Sequence, residues 1–179
     1  MGIFSEPLSI AQTFGLVSFA LGLSTFYQKD DRRLKIVMFI LNLNHLTHYL
    51  LMGSVISALS SLLSVLRTGT ALYLTPNKVS RTWAAGGFIL ASSGFGIAIA
   101  DSIWELWPIF GTAIGSFAVF MLQGIKMRLA FLAGACCWLI NNVLIGSIGG
   151  TLLELSVITV NVITIIRLLR EQKYKVLTS

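Results

Sequence analysis

Long apolar stretches, separated by short gaps that are alternately basic and free of cations, constrain this chain more than any other feature. Lys29, Arg32, Arg33 and Lys35 follow the first stretch, Lys78 and Arg81 the third, Lys126 and Arg128 the fifth, and Arg167, Arg170, Lys173 and Lys175 the seventh. The other gaps hold no Lys or Arg. Lys and Arg accumulate in cytoplasmic loops, so the pattern predicts a multi-pass membrane protein with its N-terminus outside and its C-terminus in the cytoplasm. Arg67 alone breaks the rule, because it lies inside an apolar stretch.

The composition points the same way. A hydrophobic content of 55% with 11% charged residues, and a mean hydropathy of +0.84, lies outside the balance of soluble domains. Seven spans are predicted, at 9–27, 34–52, 55–75, 82–100, 107–123, 129–146 and 150–168. Their lengths of 17 to 21 residues fall in the range of about 17–25 residues that transmembrane helices use. The expectation is therefore an all-α membrane protein with one transmembrane domain over 1–179 and a cytoplasmic tail over 169–179. The net charge of +6 is confined to short loops and the tail, which suits anionic lipid and argues against nucleic acid.

Residues 1–8 carry Glu6 and no cation, the reverse of a signal peptide, so the first span is expected to be retained. Tyr27, Tyr73 and Trp83 fall at predicted inner edges and Tyr49, Trp104 and Trp107 at outer edges, where amphipathic rings collect. Pro7, Pro76 and Pro108 sit at span ends, where a missing backbone donor costs least. Gly86, Gly87, Ser92, Ser93, Gly94 and Gly96 make the fourth span the most polar and glycine-rich, and its Gly94-x-Gly96 spacing reads as a site of close helix packing. Cys136 and Cys137 are adjacent within a span and read as packing residues. No metal or other cofactor is expected.

Leu51-Met52-Gly53-Ser54-Val55 matches Leu144-Ile145-Gly146-Ser147-Ile148 at a shift of 93 residues, and the same shift carries Arg33 and Lys35 onto Lys126 and Arg128. Spans one to three (9–75) and five to seven (107–168) then form two parallel three-helix repeats. Three spans end on the opposite side from their start, so a linker span (82–100) must bring the chain back before the unit repeats. Parallel repeats of this kind are a transporter plan with the working site near mid-membrane.

Several short motifs carry a resemblance: Arg32-Arg33, Leu66-Arg67-Thr68, Cys136-Cys137-Trp138, Gly146 to Thr151 with Glu154, and Asn161 followed by Ile165-Ile166-Arg167. Together they resemble the bacterial inner-membrane YgjV family, which implies the inner membrane as location. The three-one-three plan resembles the SWEET and PQ-loop superfamily, which implies small-solute movement. Span one has no Pro-Gln pair and spans two and six have no proline, so sugar specificity and proline hinges are not implied.

The third span places Ser57, Ser60, Ser61, Ser64, Arg67 and Thr68 three and four residues apart, a polar helical face that should avoid lipid. Arg67 lies about 18 Å below the outer edge, near mid-depth. It reads either as a structural clamp or as a docking point for a carboxylate or phosphate. Under the repeat, Glu154 corresponds to Ser61 and Asn161 to Thr68; His45 pairs with Trp138 and His48 with Asn141. Glu154 is expected about 12 Å from Arg67 in depth, either hydrated in an outer vestibule or coupling protons.

The expected solute contacts are Ser64, Arg67, Trp138, Asn141 and Asn161, and the expected outer or proton pathway is Asn44, His45, His48, Ser61 and Glu154. Asn42 and Asn142 read as interhelical staples. Gly15, Gly22, Gly111 and Gly115 are expected to let helices approach and slide. No Gly-x-Ser-x-Gly elbow is present, and the chain is not expected to be an enzyme; a serine bonded to a histidine beside a water-bearing cavity would argue otherwise. The reading is a transporter of a small anionic or zwitterionic solute, with a receptor or assembly protein of the same fold as the alternative. The partners expected are that solute and membrane lipids, with self-association left open.

Overall fold

The computed structural model describes residues 10–73 and 78–178. Pro7, Pro76, residues 9 and 75 and the side chains of Lys78 and Lys175 lie outside the described residues. The described chain forms seven α-helices: α1 (Ile10–Tyr27), α2 (Asp31–Leu51), α3 (Val55–Tyr73), α4 (Lys78–Ile99), α5 (Leu106–Met121), α6 (Gly124–Leu144) and α7 (Ile148–Thr178), with a 3-10 turn at Ile103–Glu105. Over the described residues, each of the seven predicted spans contains one of these helices.

Six of these helices are long and apolar enough to cross a membrane, and α2 is the exception. Asn42, Asn44, His45 and His48 dilute its apolar character. Those groups turn inward onto the other helices, as the hydrogen bonds below show.

Local chemistry sets the turns. Asp30 caps α2 by accepting the Arg33 N–H at 2.7 Å. Gly53 (φ 72°) and Gly146 (φ 71°) take the left-handed conformation that ends a helix. Around them the α2–α3 and α6–α7 turns repeat bond for bond. Met52 N–H donates to His48 O and Ile145 N–H to Asn141 O, both at 3.0 Å. Ser54 N–H then donates to Tyr49 O at 3.1 Å, and Ser147 N–H to Asn142 O at 2.9 Å. Every one of these equivalents is 93 residues from its partner, as the sequence match requires.

Neighbouring helices make a closed circuit, α1 to α2 to α3 to α5 to α6 to α7 and back to α1, with α4 outside it against α3 and α5. Within the circuit, a core including Phe26, Leu34, Met38, Met127, Phe131 and Leu153 excludes solvent. The α1–α7 seam is the tightest, because a Cβ on Gly149 would strike the backbone of Gly15 and Leu16.

Two expectations are corrected. Gly94-x-Gly96 was read as a packing site, but only Gly96 meets a neighbour, Ile109; Gly94 faces open space, as do Gly86 and Gly87, because α4 touches the circuit along one face only. Tyr49 was placed at a membrane edge but is fully buried, while Tyr27, Tyr73, Trp83 and Trp104 are exposed. Tyr49 is held inside by Asn142 and Trp138.

Candidate functional site

A buried cavity of about 70 Å³ lies midway along the bundle. The polar groups that line it are Asn42, His45, Ser61, Ser64, Arg67 and Glu154, with Trp138 forming part of the wall. The rest of the lining is apolar or glycine, including Phe26, Met38, Phe131 and Ala135. Six of the ten expected residues are therefore brought together: Ser61, Ser64, Arg67, His45, Trp138 and Glu154.

The polar face of α3 is buried throughout, as its spacing predicts. Arg67 Nη1 donates to Thr112 O at 2.5 Å and to Ser116 Oγ at 3.3 Å. Its guanidinium lies flat on Gly115, where a Cβ would displace it. Its Nε is buried without a hydrogen-bond partner among the described residues. Glu154 is 6% exposed, and no described residue bonds its carboxylate. The ion pairs among the described residues are Lys29–Glu171 and Arg128–Asp31, so Arg67 and Glu154 share an enclosure without pairing.

The expected vestibule position of Glu154 is corrected by the same observation. Glu154 lies six residues into α7, counted from Ile148, and Arg67 twelve into α3, counted from Val55. At about 1.5 Å per residue the depth difference falls to roughly 9 Å, which two long side chains can share across one cavity.

Four expected residues lie elsewhere. Asn44 turns to α1, donating to Phe14 O and Ser18 Oγ, both at 2.7 Å. Adjacent helical residues point about 100° apart, so His45 cannot share that direction and faces the cavity instead. His48 binds Ala11 O through Nδ1 and Ser147 Oγ through Nε2, each at 2.7 Å. A carbonyl only accepts, so Nδ1 carries the proton and the neutral Nε2 accepts from Ser147. Asn141 accepts from Ser57 Oγ at 3.1 Å, and Asn161 donates to Arg128 O at 2.8 Å. Asn141 is thus about one turn beyond the lining residue Trp138, and Asn161 about one turn beyond Val157 toward the other end.

These residues close the cavity at each end. On α2 and α6 the lining residues fall between two sets of interhelical bonds. At one end stand His48–Ser147, Tyr49–Asn142 at 2.9 Å and Ser57–Asn141. At the basic end, Arg128 donates from Nη1 to Asp31 Oδ1 at 2.8 Å and from Nη2 to Gln28 O at 3.0 Å and Lys29 O at 2.9 Å. The Gly124 N–H adds a bond to Asp31 Oδ2 at 2.9 Å.

Arg128 was expected to be a loop cation, yet it is fully buried. Counting loop charges gives a side, not a burial. Asp31, an acid within a basic cluster, was the available signal. Asn42 acts as the expected staple, donating to Thr68 Oγ1 at 3.3 Å, and also lines the cavity.

The His48–Ser147 contact is the pair that hydrolase chemistry would need, but neither residue lines the cavity and both are buried.

The chain matches the family Imp-YgjV, described as bacterial inner membrane protein, over residues 9–172. It belongs to the YgjV family. Within the YgjV family, it is 34% identical over 164 residues to inner membrane protein YgjV of Escherichia coli strain K12, covering 92% of this chain and 87% of that relative. No solved structure matches the chain. YgjV membership and the apolar helices make it a multi-pass protein of the bacterial inner membrane.

Proposed function

We propose that this chain moves a small anionic or zwitterionic solute across the inner membrane through the cavity at Arg67. The helices would form two parallel repeats, α1–α3 and α5–α7, joined by α4 as in the SWEET and PQ-loop superfamily. Three features support that plan: the two turns duplicated at a shift of 93 residues, the closed circuit of six helices, and the position of α4 outside it. The basic gaps put the Arg128 end in the cytoplasm and the His48 end outside.

One observation carries the reading: a buried cavity holds an Arg and a Glu that do not pair, and it lies between two seams that each join α2 to the second repeat. Charges in a membrane interior are costly and mark solute or ion paths. In this reading the structure is the occluded state. Opening the His48–Ser147 and Tyr49–Asn142 seam exposes the cavity outward, and opening the Asp31–Arg128 clasp exposes it inward. The close contacts at Gly15, Gly22 and Gly115 let the halves move over one another without proline hinges, while Gly111 packs on Trp138 within the second half.

The bonded seams also suit the second reading, a fixed receptor or assembly protein. Uptake into sealed vesicles separates the two, using a panel of small anions, amino acids and sugars with wild type, Arg67→Ala and Glu154→Gln. Flux that both variants lose while staying folded supports transport. Ligand binding without flux supports the receptor.

A further inference from the structure

We infer that the solute is a small zwitterion, an α-amino acid no larger than alanine, whose carboxylate meets Arg67 and whose ammonium meets Glu154. This rests on the transport reading and narrows it to a substrate class.

Arg67 and Glu154 are 5% and 6% exposed, border the same cavity and form no ion pair with each other or with any described residue. Buried charges need a partner of opposite sign and satisfied hydrogen bonds. A neutral sugar supplies neither charge. A simple anion answers Arg67 and is repelled by Glu154, and a simple amine does the reverse. A zwitterion answers both and leaves the charge of the enclosure unchanged.

The donor geometry agrees. Nη1 of Arg67 is committed to Thr112 O and Ser116 Oγ, while Nε has no partner. Nε is itself sealed off, so the nitrogen left to meet a carboxylate is Nη2, which no described residue bonds and which is not fully covered. Size agrees as well. At about 30 Å³ per water, a cavity of about 70 Å³ holds about two waters, which favours the smallest zwitterions, glycine and alanine, over a hexose. Met38, Phe131 and Ala135 offer a methyl group apolar neighbours.

The test gives sealed vesicles holding the wild-type protein alanine, propionate (alanine without its ammonium) and ethylamine (alanine without its carboxylate). The expected result is alanine uptake at least about tenfold above either fragment, since losing one partner of a buried charge pair costs that much or more. Glu154→Gln should then lower the alanine-to-propionate ratio at least about tenfold by loss of alanine uptake, with propionate uptake kept or raised. Propionate transport equal to or above alanine in wild type overturns the zwitterion assignment and leaves transport standing. No uptake of any solute in the wider panel overturns both. If Glu154→Gln does not fold, the wild-type ratios alone decide.

Discussion

The Tyr49 hydroxyl donates to Asn142 Oδ1 at 2.9 Å, and the two residues are 93 positions apart, the spacing that relates one half of the chain to the other. Each is bonded to its own counterpart. Asp31 and Gly124, also 93 apart, meet in the same way at the basic end. Along α2 and α6 these two contacts flank the residues that line the cavity.

Because Tyr49–Asn142 is buried and directional, its members should be coupled. Tyr49→Phe and Asn142→Ala in a double-mutant cycle should give a coupling of about 1 kcal/mol in detergent unfolding. A value near zero would remove this bond from the account of the seam.

Arg128, in the second turn of α6, is expected to stabilise more than an exposed cation would. Its fork satisfies Asp31 and two carbonyls from a site without solvent, so Arg128→Ala leaves those acceptors unpaired and should cost about 3 kcal/mol. Arg128→Lys keeps the charge but not the fork, and should fall between the two. Unfolding midpoints of the three proteins measure the order.

Glycine substitutions should divide by location. Gly149→Ala drives a methyl group into the backbone of Gly15, which cannot turn away, and should destabilise by about 3 kcal/mol. Gly86→Ala and Gly87→Ala meet nothing and should be neutral or stabilising by up to about 1 kcal/mol. Thermal unfolding in detergent separates the classes.

The helices were legible in the sequence because apolar length and charge placement are properties of single segments. The buried face of α3 was legible because six polar residues share one helical stripe. The destinations of Asn44, His48, Asn141 and Asn161 were not. Polar groups surround much of α2 and α6, and which of them meets the cavity depends on how each helix is rotated against its neighbours. Tyr49 and Arg128 were hidden for a related reason: residue type suggested an interface ring and a loop cation, and only a partner 93 or 97 residues away draws each inward.

The orientation proposed from the loop charges can be checked with cysteines in a chain carrying Cys136→Ser and Cys137→Ser. Ser102→Cys should react with a membrane-impermeant thiol reagent applied outside intact cells, and Lys173→Cys only after the inner face is exposed. The opposite pattern would invert the topology.

Access to the cavity is the most direct test of alternating closure. Ser64 lines the cavity and is 2% exposed, so Ser64→Cys in the same cysteine-free chain reports when the enclosure opens. With right-side-out and inside-out vesicles, the account predicts slow reaction with a small impermeant thiol reagent from both faces, slowed further by alanine. Reaction from one face only, or from neither while Ser102→Cys reacts fully, would contradict it.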